Sequence, residues 1–207
     1  MTRTLYCDID GVLCDLVGGF LDYLRARTAR KGIFYHWDIT QYDIAKALAR
    51  TGRIEEEKVK EIFTDFLHSP MRFLSLDPLP PVCRAVRHLI DTGIVANYIT
   101  ARSGAVYPVT SEWLSRNWLS GTLLGRTEEE KANLVANTHC VLVEDNAGLM
   151  PLIKSATEHP AGVLCLIEQP WNQEHKQHDP IWVKRIVPAD APYDVHSQLL
   201  RALNEAP

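Results

Sequence analysis

The segment LYCDIDGVLCD (5–15) sets Asp8, Asp10 and Asp15 behind a short apolar run at the start of the chain. Carboxylates a few ångströms apart repel by on the order of several kcal/mol at an effective dielectric near 20, unless a cation compensates. Two further segments carry similar chemistry. Thr100-Ala101-Arg102-Ser103-Gly104 offers a hydroxyl and backbone amides, and Glu144-Asp145-Asn146 offers two more acids. Lys131 stands at the opening of the helical pattern TEEEKANLVAN (127–137). Brought together, these groups would hold a hard, oxygen-seeking cation, for which Mg²⁺ is the natural candidate.

The elements that must position them are legible as a pattern. RTLYCDI, IVANYIT, CVLVED and GVLCLIE read as buried strands, and VKRIV as a fifth. PVCRAVRHLIDTG, YPVTSEWLSRNWL and TEEEKANLVAN read as helices between them, the last with acids in its first turn. Strands alternating with helices predict an α/β fold, a Rossmann-like doubly wound parallel sheet. Ligands bind such sheets at the carboxyl ends of the strands, where all three polar segments fall. From Asp15 to Leu76 the rhythm breaks into three helical stretches without a strand signal, and LDPLPP (76–81) leads back to the sheet. The expected organisation is a core domain of residues 1–14 and 77–207 with a helical domain, 15–76, inserted after the first strand.

Four pieces, DIDGV (8–12), ITAR (99–102), Lys131 and VEDN (143–146), occur in an order and at positions that resemble the haloacid dehalogenase (HAD) superfamily of phosphohydrolases. In that superfamily an insert after the first motif forms a cap over the site. DGVLCDLVGGFLDYL, HWDITQYDI, FLHSPMRFLSLDPLP, ITARSGAVYPVTSEWL and QPWN (169–172) are together similar to the 5'(3')-deoxyribonucleotidase family. Two departures stand out: PVCRA (81–85) replaces the usual PGA, and Glu144-Asp145 replaces a pair of aspartates.

The resemblance implies a Mg²⁺-dependent phosphomonoesterase. Asp8 is then the nucleophile and Asp10 the general acid and base. Asp8, the Asp10 carbonyl and Asp145 hold the metal, and Thr100, the amides of Ala101 and Arg102, and Lys131 bind the phosphoryl group. A nucleoside monophosphate is the expected substrate. A sugar phosphate, a polynucleotide end, or a silent module that kept the fold and lost turnover remain open. Trp37, in the segment Phe34 to Trp37, is the candidate contact for a base, although most aromatics of the insert are expected to pack its core.

Taken singly, each feature has a plainer explanation. DxDG is often only a turn or a calcium-type loop, Lys131 alone would be a solvated helix face, and Arg126 is its rival if the helix is phased differently. His175 and His178 are expected in a surface loop rather than a metal site. Composition narrows the partners. The chain has 207 residues, 46% hydrophobic and 23% charged, with a net charge of -4 and no basic run. That is a globular profile with no signature of polymeric nucleic acid or membrane as partner. Five cysteines without CxxC spacing fit a reducing cytoplasm rather than a disulfide framework. An N-terminus that runs directly into the motif is expected to lack a signal peptide. A homodimer is allowed.

Overall fold

The computed structural model describes residues 4–28, 34–173, 176, 179–188 and 192–204. His175 and His178 lie outside the described residues. The core is a six-stranded sheet of β1 (Thr4–Asp8), β2 (Ala96–Thr100), β3 (Thr122–Gly125), β4 (Cys140–Glu144), β5 (Val163–Ile167) and β6 (Val183–Ile186). Every pairing is parallel and the spatial order is β3-β2-β1-β4-β5-β6. β1 is thus the central point from which the order runs outward in both directions, and a crevice opens there at the carboxyl ends of β1 and β4.

The sheet is covered on both faces because its central strands are apolar on both. Along β4 and β5, Val141, Val143, Val163, Cys165 and Ile167 join one apolar cluster, while Cys140, Leu142, Leu164 and Leu166 join another. This is the period-two alternation of a strand buried on both sides. Helices α5 (Pro80–Asp91) and α9 (Pro192–Asn204) pack together over the first face. Helices α7 (Glu128–Asn137) and α8 (Leu149–Ala156) cover the second. α7 starts with a reciprocal cap, in which Thr127 Oγ1 accepts from the Glu130 amide and Glu130 accepts from the Thr127 amide. That cap sets the helical phase of Lys131.

Between β1 and β2 the chain is helical, as expected: α1 (Leu16–Thr28), a 3₁₀ turn (His36–Asp38), α2 (Ile44–Arg50), α3 (Glu56–Leu67) and α4 (Pro70–Leu74). Phe20, Phe63 and Phe66 meet edge to face and stacked at 4.7–6.3 Å, and Phe73 joins them. The two connections of this insert run side by side. The Asp15 amide donates to the Asp77 carbonyl at 2.9 Å, and the Leu79 amide to the Leu13 carbonyl at 2.7 Å. α6 (Tyr107–Arg116) completes the set, its Trp113 indole donating to the Leu76 carbonyl at the end of the insert. All five cysteines are buried and none is in a disulfide. Among the described residues no helix is long and apolar enough to cross a membrane.

Candidate active site

Asp8 is the last residue of β1, and Glu144 the last of β4 beside it, with Asp145 following. All three are buried, and one carboxylate oxygen from each lies within 4.8 Å of the others. Lys131 reaches into the cluster from α7. Its Nζ donates to Asp8 Oδ1 at 2.7 Å and to Glu144 Oε2 at 2.9 Å, and Glu128 Oε1 stands 3.2 Å away. The other oxygen of Glu144 accepts the amides of Asp145 at 3.0 Å and Asn146 at 3.2 Å. Glu144 therefore seats both the ammonium and the loop that carries Asp145, a role the sequence pattern did not single out. Arg126 stays near the surface beside Glu130, so Lys131 is the cation of the cluster.

The electrostatics favour an additional cation. Burial, and next the Glu144 carboxylate, push the Asp8 carboxyl well above the usual range, against the pull of Lys131. Burial, then Glu144 and Asp8, push Asp145 up as well. Burial alone would favour a neutral Lys131, but Asp8, Glu144 and Glu128 outweigh it and keep the ammonium charged. One ammonium among several buried carboxylates leaves negative charge unbalanced, which is costly in a low-dielectric site. Oxygen donors in excess of local positive charge suit a hard divalent cation, so the residues fit Mg²⁺. Gly11 permits the close packing here. It has φ +74°, and a Cβ at this position would stand 2.1 Å from Asp145 Oδ2.

Asp10 takes a different partner. Arg102 Nε donates to its Oδ2 at 2.9 Å and Arg102 Nη2 to its Oδ1 at 2.5 Å, a bidentate pair. The guanidinium also donates to Thr110 Oγ1 and lies over the Phe73 ring, 4.2 Å from its centroid. The Arg102 amide, expected to serve a phosphoryl group, instead donates to Thr100 Oγ1 at 3.1 Å. Thr100 is buried at the end of β2 and Ala101 is exposed next to it. Thus Asp8, Thr100, Lys131 and Asp145 gather at one edge of the sheet, with Asp10 tied to Arg102 alongside.

A cavity of about 410 Å³ lies between this edge and the insert. Asp10 and Asp145 line it on the core side, Tyr42, Phe63 and Ile39 on the insert side, and Trp171 between. Tyr42 is 55% exposed as a residue. The pKa of its hydroxyl is raised, by burial first and then by Asp145, Glu144, Glu128 and Asp8. Trp37 is placed elsewhere. It is 68% exposed, stacks on Tyr35 at 4.4 Å, and is not among the residues lining this cavity. Tyr42, Phe63 and Trp171 supply the aromatic surface instead. Tyr42 lies in the bend just before α2 and Phe63 within α3, with no local signal that separates them from core aromatics.

The QPWN turn (Pro170–Asn172) follows β5 and closes on the site. Gln169 Nε2 donates to the Gly11 carbonyl, Trp171 Nε1 to Asp145 Oδ2, and Asn172 Nδ2 to the Asp145 carbonyl. His36, from the insert, bonds Asp15 at 2.9 Å and lies against the Trp171 ring.

No protein-family model matches the chain, and no curated protein matches it. Solved structures do. A HAD family hydrolase from Deinococcus radiodurans R1, with bound phosphate and sodium, matches over 99% of each chain at 13% identity with a TM-score of 0.63. A protein assigned as a phosphoglycolate phosphatase from Lactobacillus delbrueckii subsp. bulgaricus matches over 99% of this chain and 100% of its own at 13% identity, TM-score 0.59. A predicted phosphatase from Clostridium acetobutylicum matches over 97% and 99% at 11% identity, TM-score 0.58. Likeness at these identities is likeness of fold: the chain has the α/β architecture of the HAD hydrolases, with its parallel sheet and helices arranged as theirs are.

Proposed function

We propose that the chain is a Mg²⁺-dependent phosphomonoesterase working through an aspartyl-phosphate on Asp8, with nucleoside monophosphates as its preferred substrates. The observation that carries the reading is the convergence of Asp8, Lys131 and Asp145 at the central crevice of the sheet, beside Asp10 and an apolar cavity. Asp8 forms a bond to phosphorus as the ester P–O bond breaks, and Asp10 gives its proton to the departing oxygen. Asp10 then takes a proton from water, whose oxygen attacks phosphorus and frees both phosphate and Asp8. Lys131 offsets negative charge on the phosphoryl oxygens, and Thr100 and the Ala101 amide donate to them in this reading. Asp8, Asp145 and the Asp10 carbonyl would hold Mg²⁺, which when bound would supply charge neutralisation between nucleophile and phosphate dianion.

The substrate class is supported by the motif resemblance and by the lining of the cavity. Tyr42, Phe63 and Trp171 suit a flat, weakly polar leaving group better than a polyhydroxylated one. A second reading, a small polar ester, takes its support from the structural neighbour assigned as a phosphoglycolate phosphatase. Residues 15–76 act as the cap in either reading, since their paired connections at Asp15–Asp77 and Leu13–Leu79 form a narrow two-stranded joint to the core. A small-molecule substrate, a cytoplasmic location and no nucleic-acid polymer as partner complete the proposal.

The experiment is phosphate release from a panel of mononucleotides, sugar phosphates and p-nitrophenyl phosphate, with Mg²⁺ and then with EDTA. Mg²⁺-dependent turnover of nucleotides well above sugar phosphates is expected. Turnover of p-nitrophenyl phosphate alone would keep the chemistry and remove the nucleotide. Silence on every substrate would favour the non-catalytic module.

A further inference from the structure

We infer that Trp171 is a positioning residue for the cation: its indole N–H fixes the Asp145 carboxylate so that the remaining oxygen is presented to Mg²⁺. The inference rests on the metal-site reading above and adds a residue to it. Trp171 and Asp145 are 8% and 5% exposed, and Nε1 donates to Oδ2 at 3.1 Å. An indole is a donor only and carries no charge. It can therefore hold one carboxylate oxygen without competing for the site as an ammonium would. Groups one step removed from a metal commonly orient its ligands in this way.

The turn that carries Trp171 is itself braced. Asn172 Nδ2 donates to the carbonyls of Asp145 at 2.9 Å and Ile167 at 2.8 Å, tying the ends of β4 and β5 together. Gln169 Nε2 reaches the Gly11 carbonyl at 2.9 Å, the residue packed against Asp145. From β6, Arg185 Nη1 donates to the Asn172 carbonyl at 2.7 Å, and its other nitrogens pair with Asp179. Four separate contacts thus hold the turn from which the indole reaches Asp145.

Calorimetric titration with Mg²⁺ alone separates the two roles. Trp171→Phe keeps most of the ring and removes the donor. Its Mg²⁺ affinity is expected to fall about 10- to 100-fold, with the metal-free thermal midpoint close to that of the parent. Affinity within twofold of the parent would overturn the inference while leaving the metal site intact. Asp145→Asn is the parallel test of the site: if it binds Mg²⁺ as the parent does, or if the parent binds none, the metal reading falls and the inference with it. If Trp171→Phe does not fold, the parent chain labelled with ¹⁵N at its indoles decides. The Trp171 N–H resonance, assigned by single replacements of the other four tryptophans, is expected to move most on adding Mg²⁺. An unmoved resonance would overturn the inference.

Discussion

Arg102 grips both carboxylate oxygens of Asp10, through Nε at 2.9 Å and Nη2 at 2.5 Å, while Phe73 of the insert lies under its guanidinium. The pair fixes the rotamer of the residue assigned as general acid and links that rotamer to the position of the insert. Arg102→Lys keeps the charge and loses the fork. Its kcat is expected to drop about 10- to 100-fold for alkyl phosphates, whose leaving oxygen needs a proton, and much less for p-nitrophenyl phosphate. Steady-state kinetics on both substrates check this, and an unchanged kcat for alkyl phosphates would mean that Arg102 does not act through Asp10.

Lys131 is the ammonium shared by Asp8 and Glu144, and its side chain is 3% exposed. Removing it in Lys131→Met leaves buried carboxylates without their counter-charge. The variant is expected to lose about 3–5 kcal/mol of stability in urea without metal, and to recover part of it on adding Mg²⁺, which binds the folded state. Unfolding curves with and without Mg²⁺ measure both. No loss in the metal-free protein would show that the cluster is not held by this charge.

The cavity makes a sharper prediction about aromatics. Tyr42→Ala is expected to raise KM for a nucleotide roughly 5- to 100-fold, the range for loss of one base-stacking ring, with a smaller effect on p-nitrophenyl phosphate. Trp37→Ala, at an exposed ring that stacks only on Tyr35 among the described ring pairs, is expected to leave both within about twofold. The reverse ranking, read from the same kinetics, would move the base to Trp37.

How far the sequence alone carries can be seen at these same residues. Strand ends and the helical insert were legible because apolar runs and helical spacing are local, and the polar motifs follow them at once. β3 was not. It is only four residues long, half exposed at the sheet edge and bounded by Gly121 and Gly125, so it shows no apolar run. Lys131 could be chosen over Arg126 because helical phase is local too. The turning back of the Arg102 side chain onto Asp10, 92 positions away, and the reach of Trp171 to Asp145 depend on how distant strands are registered. Neither leaves a mark in nearby sequence. Trp37 and Tyr42 illustrate the same limit, since two aromatics five positions apart end up on different surfaces of the insert.

A pH dependence of stability follows from the contact between α5 and α9, where His196 meets His88 with ring centroids 4.4 Å apart. Burial first, then His88, lowers the His196 pKa below its ordinary value of 6.5. The folded state thus binds the proton less readily than the unfolded one. The contribution is complete above 6.5 and is lost as pH falls through that value. Thermal midpoints measured across this range are expected to decline less for His196→Gln than for the parent. Parallel curves would place the acid sensitivity elsewhere.

In the proposed reaction Asp8 carries the phosphoryl group. The most direct measurement is phosphate release from p-nitrophenyl phosphate in Mg²⁺ by the parent and by Asp8→Asn, with circular dichroism to confirm folding. A loss of at least about 10³-fold in kcat is expected, because the proposed nucleophile is gone. Activity within tenfold of the parent in a folded variant would contradict it.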